Sequence, residues 1–277
     1  MRLAATLVPS AVLGALAAVL AGLAAPPLRA APASPAIDLA SHHAHYTLTL
    51  DTAREEVTAA TGEMAYEVED VCDGWATRQR LDMTITNAEG QPIHMVSDYA
   101  TLESKDGLRM RFHMRQTTET AVTEQVDGEA RLERPGGPGV VHYTTPAGKV
   151  VHLAPGTLLP TPHTIAVLSA AAAGRKFMAV PLFDGTSAEG AQDTFVTILN
   201  WGGPRAGKWP ALAKLPSGRV RIAFFDQKKA PVATPDYAVA MRYWSNGVSD
   251  ELSMDFGGFV MKGAMDRFEL LPAHQCR

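Results

Sequence analysis

The side chains of this sequence that could bind a metal ion or transfer a proton fall into two groups. His42, His43 and His45 stand within four positions of one another, and imidazole is a common zinc ligand. Glu67 and Glu69 are two positions apart, and glycosidases work with a pair of carboxyl groups. Whether either group forms a site depends on the elements that carry it.

The two carboxylates lie in a stretch that alternates between apolar and polar residues, residues 64–69. Alternation with a period of two predicts a half-buried β-strand, with Glu67 and Glu69 on the face opposite Tyr66. We expect that face to be in solvent. His42 and His43 stand at the end of a stretch rich in Pro, Ala and His, residues 31–44, which we expect to be a flexible lead-in, and His45 directly follows it. We therefore predict no metal site and no catalytic carboxylate pair.

The rest of the sequence adds no catalytic candidate. It contains no H-E-x-x-H, G-x-S-x-G, S-x-x-K or P-loop motif, so the common metalloprotease, hydrolase, β-lactamase and nucleotide-binding signatures are missing. The remaining histidines are scattered along predicted strands, and the four tryptophans are expected in the core. We predict a protein that is not an enzyme, with no catalytic residue and no cofactor, and the sequence leaves its ligand-binding residues unassigned.

Composition limits the classes of partner. The chain has 277 residues, 46% of them hydrophobic, and a formal net charge of -4. This apolar content is sufficient for a sizeable core and too high for a disordered chain. Because the net charge is negative and the sequence has no run of Lys or Arg, we predict no nucleic-acid partner.

The amino-terminal residues have the pattern of a secretory signal peptide. Arg2 is followed by the apolar stretch Ala11–Leu23 and then by small residues and prolines, as in an exported protein. We predict a signal peptide over residues 1–30, cleaved near Ala30 or Ala31, and a single domain over residues 45–277. The alternative is a retained membrane anchor. After cleavage we expect no integral membrane segment.

The chain has two cysteines, Cys72 and Cys276. In an oxidising compartment the simplest arrangement is one intramolecular disulfide. Two buried thiols are the alternative.

Alternating runs recur through the sequence, and residues 108–115 show the pattern most clearly. Short turn sequences separate these runs, which favours antiparallel pairing of neighbours. The turn sequences are Asn87–Gly90, Lys105–Gly107, Asp127–Gly128, Pro146–Gly148, Asp184–Gly185 and Asn246–Gly247. We predict an all-β fold with a single large curled antiparallel sheet, a β-spiral or open barrel of about a dozen or more strands.

One segment is predicted to be helical. Thr161 is a suitable N-cap, Pro162 suits the first helical position, a run of alanines follows, and Gly174 suits the position after the helix. Because its faces are apolar nearly all round, we expect this helix to be buried against the sheet. The rest of the concave face is then either filled by side chains or open as an apolar ligand groove.

Several motifs resemble those of a known family. Val71–Trp75 follows a strand with Gly62 and Tyr66, and the sequence later contains Pro181–Gly185 and Asp255–Phe259. Leu270–Pro272 and the penultimate Cys276 complete the pattern. Together they resemble the EipB-like family of alphaproteobacterial periplasmic cell-envelope integrity proteins, over nearly all of the chain that follows the signal peptide.

This resemblance implies a spiral sheet similar to those of lipoprotein carriers, with a Cys72–Cys276 disulfide. It implies location in the periplasm and a non-enzymatic role in envelope integrity, and it transfers no catalytic residue. The function predicted is binding of a lipid, a lipoprotein or a periplasmic envelope partner in or on the concave sheet. The alternatives are an envelope hydrolase or peptidoglycan-active enzyme, and a periplasmic sensor domain.

Overall fold

A computed structural model describes residues 37–54, 56–228, 234–272 and 276. The predicted signal peptide and its cleavage site lie outside these residues. One helix, α1, spans Pro160–Ala172, and Pro210–Leu212 form a short 3₁₀ turn. The fourteen strands β1–β14 are His42–Ala53, Val57–Asp70, Gly74–Asn87, Pro92–Ser104, Arg109–Thr118, Ala121–Leu132, Gly139–Thr145, Val150–Leu153, Phe177–Leu182, Gln192–Gly202, Ser217–Asp226, Tyr237–Trp244, Ser249–Asp255 and Phe259–Leu270.

All fourteen strands belong to one antiparallel sheet. Its order is β8-β7-β6-β5-β4-β3-β2-β1-β14-β13-β12-β11-β10-β9, so successive strands pair with each other and β1 also pairs with the last strand, β14. The chain forms one meander to β8, crosses by α1, and returns as a second meander. The edge strands β8 and β9 do not pair with each other, but a single parallel bridge joins Leu158, just before α1, to Leu182 in β9. The all-β, curled and open sheet predicted from the sequence is confirmed.

The period-two pattern sets which face of each strand is buried. In β5, Met110, Phe112 and Met114 are buried while the intervening residues are exposed. The inner-face residues form two clusters. The first lies under β1–β3 and β10–β14 and includes Tyr46, and the second lies under β5–β8 and includes Phe183.

Helix α1 lies inside the sheet, as predicted, with Val167 and Leu168 fully buried. Its start differs from the prediction. Leu159, not Thr161, is the N-cap, and no side chain caps the helix from that position. The backbone N–H of Thr161 instead donates to the carboxylate of Glu103. A residue on the inner face of β4 therefore accepts a hydrogen bond from the first turn of the helix. Because this contact is distant in sequence, the local capping pattern gave the wrong first residue of the helix.

Two expectations about local structure differ from the structure. Strand β1 begins at His42, so the last residues of the expected lead-in 31–44 belong to the sheet. Asp127–Gly128 does not form a turn but lies within β6, where a register shift occurs opposite β7. The adjacent turn is instead at Glu119, between β5 and β6, where φ is 55°.

Two glycines of the family-like motifs occupy positions with no room for a side chain. A Cβ atom on Gly62 would lie 2.4 Å from the carbonyl oxygen of Asp82 on β3. A Cβ atom on Gly185 would lie 2.7 Å from the Phe112 ring, and Gly185 also has a φ of 73°. A residue with a side chain would clash at both positions, and at Gly185 the backbone would be strained as well.

Cys72 and Cys276 form a disulfide with Cα atoms 5.6 Å apart. Cys72 lies between β2 and β3, and Cys276 follows β14. Since β14, β1, β2 and β3 are neighbours in the sheet, the bond ties the carboxyl-terminal end of the chain across two strands. It closes a loop of 204 residues.

Candidate functional site

A groove of about 620 Å³ crosses the outer face of β14 and β1–β5. Its floor contains Ala65, which lies between His45 and Arg80 in the register, and Ala100, which lies between Arg78 and His113. Because a methyl group reaches less far than the side chains on either side, these two alanines leave a depression. We call it the outer groove, and it lies within the volume range of protein ligand sites.

Charged side chains of both signs border the outer groove. Arg80 Nη1 lies 2.7 and 2.9 Å from the two carboxylate oxygens of Asp98. His43 Nε2 lies 2.9 Å from one oxygen of Glu67, and Arg78 binds the other. Ion pairs this exposed contribute little to folding stability. They can therefore be exchanged for ion pairs with a bound partner at low cost.

The carboxylate pair of the sequence analysis lies on this surface but is not fully in solvent. Glu67 is only 25% exposed because His43 and Arg78 flank it across the neighbouring strands. The potential ligand atoms of His43, Glu67 and Glu69 lie within 4.8 Å of one another. Arg78 already supplies a cation to Glu67, and both carboxylates lie on one strand, so they do not face each other across a sugar-sized gap.

The three histidines of the amino-terminal cluster do not meet in one site. Alternation along β1 directs His42 into the interior, where it is 2% exposed, while His43 and His45 lie on the outer face. His45 Nδ1 lies 2.7 Å from Asp266, and Asp266 also accepts a hydrogen bond from Thr47. The period of the strand therefore separates residues that are adjacent in sequence.

The inner face contains a second, smaller cavity of about 180 Å³ at the amino-terminal end of α1. Tyr66 and Tyr99, which pack against the first and second clusters respectively, both line it. His42 Nδ1 donates to the carbonyl oxygen of Ala40 at 2.8 Å, so Nε2 carries the lone pair. Among the described residues this Nε2 has no hydrogen-bond partner. Burial lowers the pKa of His42, so the ring is held neutral.

Glu103 is the buried acid of this cavity. Its carboxylate accepts hydrogen bonds from the Thr161 N–H at 2.9 and 3.1 Å and from the Thr161 hydroxyl at 2.8 Å. Burial raises the pKa of Glu103 from 4.5 to about 7, and the hydrogen bonds from Thr161 partly oppose that shift. Glu103 was not among the predicted site residues, although it has the same parity along β4 as Tyr99 and Thr101 and is thereby assigned to the inner face.

This raised pKa has a measurable consequence for stability. The folded protein holds the Glu103 proton up to about pH 7, whereas the unfolded chain loses it near pH 4.5. The contribution of Glu103 is therefore complete at low pH and falls by about 3 kcal/mol as the pH rises from about 4 to 8. Urea unfolding at each pH should show that Glu103→Gln removes this fall.

His163 is a second buried group that affects the pH dependence of stability. Burial lowers its pKa from 6.5 to about 4, so its contribution to stability rises between those pH values and has the opposite sign. The wild-type curve sums all titrating groups, among them Asp184, whose pKa burial also raises, and the difference between wild type and Glu103→Gln isolates Glu103. If the two proteins had parallel pH curves, Glu103 would not be the buried acid described here.

His163 contacts the hydroxyl group of Thr194, but it does not act on that hydroxyl as a general base. His163 Nε2 lies 3.1 Å from the Thr194 hydroxyl oxygen, and that hydroxyl donates its proton to the carbonyl oxygen of Val180 at 2.6 Å. The imidazole therefore donates to the oxygen and does not accept its proton. The outer-face histidine His94 contacts Asp82 at 2.7 Å on an exposed surface. Both arrangements are structural hydrogen bonds.

The tryptophans have mostly structural contacts. Trp75 and Trp244 are each 9% exposed, and Lys105 Nζ lies 3.6 Å above the centre of the Trp75 ring. Trp209 donates its ring N–H to Asp250 at 3.0 Å. Trp209 and Trp244 also line a depression of about 300 Å³ beside the loop that precedes β11.

The family model for EipB-like proteins matches residues 33–272. This chain belongs to the EipB-like family. It is 31% identical over 251 residues to the cell envelope integrity protein EipB of Brucella abortus, an alignment that covers 87% of this chain and 88% of the relative. A crystal structure of a beta-barrel-like protein of a domain of unknown function, also from Brucella abortus, has a TM-score of 0.77 and 28% identity. It covers 86% of this chain and 100% of that protein.

The family membership predicted from the cysteine and glycine motifs is confirmed. The relative's name supports a role for this EipB-like chain in envelope integrity. In the described part of the chain, no helix is long and apolar enough to cross a membrane.

Proposed function

We propose that this EipB-like protein is exported to the periplasm and supports envelope integrity by binding a segment of another envelope protein, such as a lipoprotein, in the outer groove. The observation that carries the proposal is the groove itself. It combines a floor containing Ala65 and Ala100 with walls formed by ion pairs of both signs. The role is one of binding and includes no catalytic step.

The packing of the inner face favours the outer groove over the interior. Helix α1 and the two clusters fill most of the concave face, with Leu159, Leu168 and Phe183 fully buried. The cavity at the amino-terminal end of α1, about 180 Å³, is lined by Glu103 and His42 as well as by apolar side chains. An acyl chain placed there would leave these polar groups without partners, which is unfavourable.

The walls of the groove define the chemistry of the partner. A polypeptide segment in an extended or helical conformation can place small side chains over Ala65 and Ala100. Its own charged side chains can then replace one member of the pairs Arg80–Asp98 and Arg78–Glu67. Charge pairs of this kind favour specificity and association rate more than affinity. A purely apolar ligand would leave these charge pairs unused.

The test is photo-crosslinking in the periplasm of the source bacterium. A benzophenone amino acid replaces Arg267 at the rim of the outer groove, where the side chain is 74% exposed. The matched control position is Arg131 on β6, which is 59% exposed and outside the groove. We expect a discrete adduct with an envelope protein from position 267 and none from position 131.

A groove-filling substitution completes the design. Ala65→Trp places an indole over the floor of the groove, and Ala121→Trp makes the same change at an exposed strand position elsewhere. The adduct from position 267 should disappear with the first substitution and persist with the second. Uptake of a fluorescent fatty-acyl probe by the delipidated protein would instead support a lipid ligand, if the uptake were saturable.

A further inference from the structure

An exposed apolar patch lies on the outer face of β9 and β10, away from the strands of the outer groove. It consists of Phe177, Phe195 and Leu199, which are 59%, 43% and 51% exposed. In the register, Phe177 opposes Thr197, so that Phe195 and Leu199 are its two diagonal neighbours. The two phenylalanine rings stack with centroids 5.9 Å apart. The three side chains therefore form one continuous surface, which we call the β9–β10 patch.

Cations surround the β9–β10 patch. Arg175 and Lys176 are exposed and immediately precede Phe177. Arg221 on β11 opposes Thr197 and so lies on the same face. Within the described part of the chain, none of these three cations has an ion-pair partner.

The other charges on this face do not cancel that excess. Arg219 and Arg242 share the single carboxylate of Glu251, which leaves one further positive charge. Asp193 keeps its negative charge, because its hydrogen-bond donor Gln227 is neutral, so the five cations named outnumber these two carboxylates. The face therefore has a net positive charge in a chain whose overall net charge is -4. The charge of this face is therefore opposite in sign to the net charge of the whole chain.

The free edge of β9 is too short for a partner strand to be the occupant. Leu158 already donates to the carbonyl oxygen of Pro181 and accepts from the Phe183 N–H, each at 2.9 Å. Pro181 has no N–H to offer. By alternation, Phe177 and Ala179 are the remaining residues whose backbone groups face the open edge. Strand addition relies on a run of backbone hydrogen bonds, and two residues do not provide one.

We propose that the β9–β10 patch docks this protein on the surface of an anionic lipid bilayer. Phe177, Phe195 and Leu199 enter the interfacial layer, and Arg175, Lys176 and Arg221 contact lipid phosphates. Exposed apolar clusters flanked by Lys and Arg bind such surfaces because burial of apolar area and attraction to the anionic lipids add together.

Vesicle flotation tests this inference, with vesicles of phosphatidylcholine alone or mixed with phosphatidylglycerol. We expect binding of the full-length mature protein to the mixed vesicles only, weakened by salt. Arg221→Gln should reduce the partition coefficient about fivefold, the effect typical of one cation near an anionic surface. Phe177→Ser should reduce it about tenfold or more through lost apolar burial.

The controls are substitutions of the same kind at exposed sites outside the patch. Leu102→Ser alters an apolar side chain that is 44% exposed, and Arg131→Gln removes a cation. Both should bind vesicles as the wild type does, and all four variants should retain the wild-type thermal transition. Absence of binding to either vesicle, equal binding to both, or equal losses in the patch and control variants would overturn the inference. None of these results affects the crosslinking test of the outer groove.

Discussion

Replacing both cysteines, Cys72→Ser and Cys276→Ser together, should lower the free energy of unfolding by up to about 5 kcal/mol under oxidising conditions. The reason is the length of the loop that the disulfide closes, 204 residues. In the chain-entropy model the stabilisation rises with loop length, because a longer closed loop restricts the unfolded chain more. Residual structure in the unfolded state makes this value an upper estimate.

Urea unfolding with and without a reductant measures this effect. The oxidised wild type should be the more stable protein, and the reduced wild type should match the double variant. The reductant should leave the double variant unchanged, which serves as the internal control. Equal unfolding midpoints for the oxidised wild type and the double variant would show that the bond does not stabilise the fold.

Substitution of Leu168 by Asp should be the most destabilising single change in α1, by about 3–5 kcal/mol. Leu168 is fully buried between the helix and the sheet, and a carboxylate there would have to be protonated or remain unpaired in an apolar site. The matched control is Leu102→Asp on β4, where the side chain is 44% exposed. We expect that control to cost about 1 kcal/mol or less.

Thermal and urea unfolding of the two variants provide the comparison. If Leu168→Asp were as stable as Leu102→Asp, α1 would lie on the surface and the concave face would be open. That outcome would favour the concave face of the sheet, and not the outer groove, as the site for an apolar ligand.

Much of the fold could be predicted from the sequence because the sheet is regular. Alternation in residues 108–115 assigns the faces of β5 correctly, and the turn sequences Lys105–Gly107 and Asn246–Gly247 fall between strands. The prediction of a turn at Asp127–Gly128 was wrong, because glycine also occurs within strands at positions where a side chain would not fit. Within β6 it makes room for Phe112, whose ring would lie 2.7 Å from a Cβ atom at Gly128.

The outer groove could not be predicted from the sequence in the same way. Ala65 and Ala100 are unremarkable alanines in two different strands, and they share a groove only because of the register of β2, β3 and β4. Register over several strands depends on pairings that are distant in sequence. Glu103 differs from the two alanines, because its parity along β4 already assigns it to the inner face. Its contact with Thr161 could not be predicted, since that contact depends on where α1 packs.

Photo-crosslinking from position 267 is the decisive experiment on the proposed function, since it reports whether a protein occupies the outer groove in cells. We expect one discrete adduct from position 267, its loss with Ala65→Trp, its persistence with Ala121→Trp, and no adduct from position 131. Equal adducts from positions 267 and 131, or an adduct from 267 that Ala65→Trp leaves unchanged, would show that no protein segment occupies the groove.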